Sequence, residues 1–260
     1  MKKVAYICSV AENYIYRKLK DEFKAHPVFN RDELLSFFHQ YEPDLAEGTF
    51  TWRVYDLKKR NIIRDVKKGV YALNNQQAFE PALNDTIKSI SKLVEKRFDP
   101  NFYNIWDTIW LNEFIELQAT TSMVVLEVEK GFMDSVFFFL KDEGFADVFV
   151  KPDTGLIEKY ASEAQHPVII KPFLSRSPVH LVGRVKVPLF EKILVDVYCD
   201  DHIYYAFQGS QLNQIYRNAV AKYSLNFSTL LNYAKRRNRE VEIKNLLLNA
   251  VDKDFKKIIE

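Results

Sequence analysis

Between Thr49 and Leu73 the chain reads TFTWRVYDLKKRNIIRDVKKGVYAL, in which Arg53, Lys58, Lys59, Arg60, Arg64, Lys67 and Lys68 are opposed only by Asp56 and Asp65. The chemistry open to such a set is electrostatic. Ammonium and guanidinium groups neutralise phosphates, and a planar guanidinium near the start of a helix can take both acceptors of a guanine. Thr49, Thr51 and Arg53, at the N-terminal end of the predicted helix, are the candidates for base edges. Lys58, Lys59, Arg60, Arg64, Lys67 and Lys68 are the candidates for phosphate contacts. The expected partner is double-stranded DNA.

Other reactive groups do not assemble into a site by their spacing. Asp107, Glu127, Glu129 and Lys130 fall at predicted strand ends, as the acidic pair and lysine of a restriction-type metal nuclease would. Such a site wants an acid two positions before its lysine, and position 128 is Val128. Glu127 and Glu129 share a strand face, so a metal-dependent nuclease or nucleotidyltransferase-like enzyme is the alternative, against the plainer reading of a solvated strand end. Asp196, Asp200 and Asp201 lie on or after a helix, ahead of Gly209-Ser210, the reverse of the order a nucleotidyltransferase needs. The histidines (His26, His39, His166, His180, His202) show no paired-ligand spacing. The seven glycines are too scattered for a dinucleotide or P-loop motif. No catalytic residue, metal or cofactor is expected. The cluster Lys235-Arg236-Arg237 reads as cation charge at a helix C-terminus, with a second nucleic-acid contact as the alternative.

The elements that must position the basic run follow from periodicity. Ile7, Ala11, Ile15, Leu19 and Phe23 recur every four residues and predict a helix over 4–23, ended by His26-Pro27. Asn30 and Glu33 form a capping box for a second helix with Leu34, Leu35, Phe37 and Phe38 on its apolar side. A third helix starts at Thr49, its expected cap, with Phe50, Val54 and Leu57 on the packed face and Arg53, Asp56 and Arg60 facing solvent. Trp52 and Tyr55 are expected to help fill the small core. Asn61 lets the helix stop in the left-handed conformation. Ile62–Val66 and Val70–Leu73 follow as strands about Lys67-Lys68-Gly69. A basic helix followed by a basic hairpin is the sequence form of a winged helix-turn-helix.

The expected architecture is α/β (α+β overall), with the winged helix-turn-helix over 1–75 and a connector helix over 76–100. An α/β domain with C-terminal helices then covers 101–260. In its first part strands near 101–106, 122–128, 145–150 and 168–170 alternate with helices near 108–117, 133–141 and 155–161, which argues for a partly parallel sheet. From Pro188 the pattern is helical, over 189–198, 211–223, 228–237 and 240–253. With 260 residues, 47% hydrophobic, the chain suits two modest cores. Its net charge of +2 is unremarkable, but residues 1–73 carry 14 basic against 10 acidic groups, so the positive charge sits at the N-terminal end. Cys8 and Cys199 are far apart and read as free thiols. Neither a signal peptide nor an apolar run of about 20 residues is legible, so a cytoplasmic, membrane-free protein is expected.

The basic run, from Thr51 on, is similar to the winged helix of the AbiEi family, the antitoxin half of type IV (abortive-infection) toxin–antitoxin pairs. There a tryptophan-bearing helix leads through a basic corner to a wing ending in G-V-Y. PLFEKILVDVYCD (188–200) and LNFSTLLNYAKRRN (225–238) resemble the helical C-terminal half of the same proteins. The resemblance implies an N-terminal domain that binds inverted repeats in its own promoter and represses the operon. It also implies a C-terminal domain that counteracts a nucleotidyltransferase-type toxin without forming a stable complex with it.

Overall fold

A computed structural model describes residues 14–116, 122–161, 163–164 and 166–259, which form two compact units, together a mixed helix-and-strand protein. The first unit takes the chain up to Ala78 and adds Lys222–Ser228 and the stretch from Val251 onward. The second takes Phe79–Ala221 and Thr229–Ala250.

In the first unit, helix α1 (residues 14–22) is followed by β1 (Val28–Asn30), α2 (Arg31–His39) and α3 (Glu47–Lys59). The hairpin β2 (Ile63–Lys67) and β3 (Val70–Leu73) comes next. The three strands form an antiparallel sheet in the order β1-β3-β2. The earlier part of the expected first helix, with Ile7 and Ala11, lies outside the described residues. Helix α2 begins where the capping box predicts: the Asn30 side chain accepts from the amides of Asp32 and Glu33, and Glu33 accepts from the Asn30 amide. Phe50, Val54 and Leu57 of α3 bury against Leu34, Phe37 and Phe38 of α2 and Ile15 and Leu19 of α1 in one core. Asn61 (φ 54°) ends α3, and Gly69 (φ 76°) turns the hairpin in a conformation that favours glycine.

Three local readings are corrected, and strand β1 is an addition to the expected elements. Helix α3 starts two residues before Thr49, and its N-cap, Ala46, makes no side-chain hydrogen bond. Asp56 does not face solvent: it is buried, accepting from the Tyr16 hydroxyl at 2.7 Å and pairing with Arg60. Strand β1 is too short for its alternation to show in sequence. Trp52 and Tyr55 are outside the core, at 54% and 62% exposure.

The second unit is built on a four-stranded sheet of β4 (Tyr103–Asp107), β5 (Val124–Val128), β6 (Val148–Val150) and β7 (Val168–Pro172), in the order β4-β5-β7-β6. β4 runs antiparallel to β5, whereas β5 and β6 both run parallel to β7, the partly parallel sheet expected from alternation. Helix α4 (Asp85–Glu95) belongs to this unit. Its buried Ile87, Ile90 and Val94 need a partner surface, and Tyr103 of β4 hydrogen-bonds Ser91 and Glu95. It is thus part of the packing rather than a free connector. Helix α5 (Met133–Asp142) follows β5. A short α6 (Thr154–Leu156) continues as a π-turn (Ile157–Ala161) before β7. The hairpin β8 (Val179–Val182) and β9 (Val185–Pro188), unforeseen, precedes α7 (Phe190–Cys199). Then come α8 (Ser210–Lys222), α9 (Phe227–Arg236) and α10 (Glu240–Ala250). The last expected helix breaks after Ala250, and α11 (Lys253–Ile259) belongs to the first unit. Among the described residues no helix is long and apolar enough to cross a membrane.

Candidate functional site

The first concentration of charge is α3 with its hairpin. Thr49 and Thr51 are exposed, and Thr51 Oγ1 accepts from Arg31 Nη2 at 3.1 Å. Arg31 also pairs with Glu47 and lies over the Phe50 ring, tying the start of α2 to the start of α3. Arg53 is turned inward. Its guanidinium pairs with Glu42 at 2.7 Å and sits 5.5 Å from the centre of the Phe38 ring, so it is already occupied. Lys58 pairs with Asp65 at 2.7 Å beside the Tyr71 ring, and Arg60 pairs with Asp56 at 2.8 Å over the Tyr16 ring. Arg64 donates to the Leu225 carbonyl at 3.0 Å and lies over Phe255. Lys59, Lys67 and Lys68 are exposed.

Thus Arg53, Lys58, Arg60 and Arg64 are engaged within the unit, as is the Thr51 hydroxyl, and the open face of α3 differs from the predicted set. Thr51, Trp52, Tyr55 and Lys59 line it at helical spacing, all exposed. Periodicity contained this result. At about 100° per residue, Trp52 and Tyr55 fall roughly 200° and 140° from Phe50, on the side away from the core. The general tendency of aromatics to be buried is the weaker signal here.

The second concentration is interior to the other unit. Glu127 on β5 stands directly opposite Lys171 on β7 in the parallel register. Helix α7 brings Lys192 and Asp196 to the same place one turn apart, and Asp200 follows another turn on. Lys192 Nζ lies 2.5 Å from Glu127 Oε1 and hydrogen-bonds Asp196 as well. Lys171 Nζ is 2.5 Å from Asp200 Oδ2, 3.5 Å from Glu127 and 3.7 Å from Asp196. Arg237, just past α9, reaches Asp196 at 2.8 Å and Asp200 at 2.7 Å with its two terminal nitrogens. The Tyr233 hydroxyl donates to Asp196 at 2.9 Å, and Asn104 Nδ2 donates to Glu127 at 3.1 Å.

Three cations and three carboxylates balance in this cluster. Burial alone would push the Asp196 carboxyl up, but Lys171, Lys192 and Arg237 outweigh it and hold the group well below the usual carboxylate range. Burial opposes the charge on Lys171 and Lys192 too, yet the carboxylates around them hold both above the ordinary lysine value. Both lysines are therefore ammonium ions at neutral pH, not bases. The arrangement is a closed brace joining β5, β7, α7 and the end of α9. Among the described residues no three acidic, histidine or cysteine side chains are grouped to hold a metal ion.

Glu127 is accordingly no solvated strand end, and Arg237 is no simple helix-end charge. Arg236 likewise donates to the carbonyls of Ser175 and Arg176. The suspected nuclease quartet is not brought together. Asp107 pairs with Val124 and Glu127 with Asn104, three rungs apart, while Glu129 and Lys130 lie exposed beyond the strand. Asp107 instead accepts from Asn84 at 2.7 Å and from the Ile109 amide at 2.9 Å, and burial holds its carboxyl above the usual range. Asp201 is exposed. The spacing Lys192, Asp196, Asp200, four residues apart each time, was the one signal in the sequence that pointed to the brace.

A model for a family of unknown function (DUF6577) matches residues 49–253. The chain belongs to this family. The DUF6577 match opens within α3 and closes at the first residue of α11, so it takes in the exposed helix face, the basic hairpin and every member of the buried brace. No curated protein matches the chain.

Proposed function

We infer that the first unit is a winged helix-turn-helix that binds duplex DNA, and that the protein is a transcriptional regulator. The observation that carries this reading is the bare outer face of α3. Helix α3 is held from behind by Phe50, Val54 and Leu57, and presents Thr51, Trp52, Tyr55 and Lys59 outward. The order helix, strand, helix, helix, hairpin and the sheet order β1-β3-β2 support it, because a winged helix needs its hairpin to follow the recognition helix in this way. So do the exposed lysines at the turn, where a wing meets phosphate. The resemblance to AbiEi antitoxins adds autoregulation and protection from a nucleotidyltransferase-type toxin to the proposal.

The test is fluorescence anisotropy of the full chain with duplexes from its own promoter and with random duplex, across a salt series. Trp52→Ala and Tyr55→Ala should lower the preference for promoter DNA. Lys67→Glu with Lys68→Glu should weaken binding to every sequence and flatten the salt dependence by roughly one unit per lost phosphate contact. A folded chain that binds no duplex at low salt sinks the reading and leaves α3 as a face for a protein partner. Protection is tested by co-expressing the full chain and the same variants with the toxin encoded beside it. Rescue that survives loss of DNA binding assigns neutralisation to the second unit, whereas rescue lost with it assigns protection to repression.

A further inference from the structure

Helix α11 contributes a cation, Lys257, to the surroundings of the hairpin turn. A cleft of about 600 Å³ opens beside the turn, lined among others by Lys67, Lys68, Lys257, His26, Asn30 and Glu33. Lys68 and Lys257 are exposed, on elements 189 positions apart. Helix α11, which carries Lys257, is anchored by its apolar residues. Phe255 lies beneath the Arg64 guanidinium, 5.4 Å from ring centre to carbon, and packs edge-on against Phe227 at 5.8 Å, while Ile259 is buried. Ser228, next to Phe227, accepts from the Lys68 amide at 3.1 Å, which fixes the turn to the same C-terminal scaffold.

The charge balance of the cleft favours an anion. Among the described residues that line it, three lysines stand with one carboxylate, and that carboxylate, Glu33, already accepts from the Asn30 amide at 2.6 Å in the capping box. The first amides of α2 are likewise satisfied by the Asn30 side chain, at 2.9 Å each. An incoming phosphate would therefore be held by the lysines, not by the helix end.

We propose that this cleft is a binding site for a phosphate of the DNA backbone, and that Lys257 of α11 completes it together with Lys67 and Lys68. The proposal rests on the DNA-binding reading above. It adds that the last helix of the chain is part of the DNA-contacting surface. Lysine ammonium groups bind phosphate as point charges without base preference, so the site raises affinity for all duplexes alike.

The whole 260-residue chain is titrated with a random duplex over a salt series, as parent, Lys257→Glu, Lys257→Arg and Lys68→Glu, with Lys88→Glu as a charge control outside the cleft. Lys257→Glu should lower affinity roughly tenfold or more at low salt and reduce the salt slope by about one unit, as Lys68→Glu does. Lys257→Arg should keep the parent slope. Lys257→Ala, which adds no negative charge, guards against a folding defect and should give the same loss of slope. Inorganic phosphate at matched ionic strength should compete less with Lys257→Glu than with the parent. If Lys68→Glu weakens binding and Lys257→Glu does not, the cleft proposal falls and the DNA-binding reading stands. If Lys88→Glu weakens binding as much, net charge and not the cleft is responsible, and the proposal again falls. A parent that binds no duplex overturns both.

Discussion

Lys192 on α7 meets Glu127 on β5 at 2.5 Å, a buried ion pair between residues 65 positions apart in the chain. Neither has water to fall back on, so each depends on the other and on the groups around them. Lys192→Met removes one cation from a balanced set and leaves Glu127 and Asp196 short of charge. Breaking one side of such a buried pair costs about 3–5 kcal/mol. Urea unfolding should show that loss, and Glu127→Gln should cost much less in the Lys192→Met background than alone. Equal costs in both backgrounds would mean that the two side chains do not depend on each other.

Asp196 gives the brace its pH dependence. Its carboxyl titrates below the unfolded value, so its contribution to stability is present above about pH 4, the unfolded range, and is lost as pH falls through the lower folded value. Stability measured from pH 6 downward should fall as this group takes up its proton. Asp196→Asn should be less stable at pH 6 and should show a shallower decline in acid. A variant whose acid profile parallels the parent's would locate the acid sensitivity elsewhere.

Cys199 is half-buried at the end of α7, and burial pushes its thiol up to about 11, with Arg237 opposing and Asp196 and Asp200 reinforcing. In a Cys8→Ser chain, thiol labelling at pH 8 should be slower than for an unperturbed cysteine by roughly two orders of magnitude, because the thiolate is the reactive form. The rate should climb towards pH 11. Fast labelling at neutral pH in the folded chain would contradict this environment.

Arg53 and Trp52 are adjacent in sequence but should separate in their effects. Arg53→Ala breaks the contact with Glu42 and the stack on Phe38, and should lower stability by on the order of 1 kcal/mol. Trp52→Ala should leave thermal stability close to the parent and act on binding alone. The reverse pattern would place Trp52 in the core and Arg53 at the surface.

What the sequence revealed was mostly local. The capping box at Asn30 and the Phe50, Val54, Leu57 face could be read because their partners lie within a turn or two, and the glycine turn at Gly69 because its conformation is a property of that residue. Trp52 and Tyr55 were misread when residue type was set above helical phase. Lys171 and Glu127 give no local sign of each other, since a strand register joins them across more than forty positions. Of the brace, only the four-residue spacing from Lys192 to Asp200 left a trace. The boundaries of the two units were hidden for the same reason: nothing near Val251 in sequence announces that the chain returns to Arg64.

That return has a consequence for how the protein comes to be made. The core of the first unit uses residues between Ile15 and Leu73 and can assemble before the second unit is made. The outer contacts of the hairpin, to Leu225, Ser228 and Phe255, cannot close until about 160 further residues have been made. A nascent chain would thus carry a folded helix trio whose hairpin lacks its outer anchors while the second unit is being made, and would gain them only when Leu225, Ser228 and Phe255 follow.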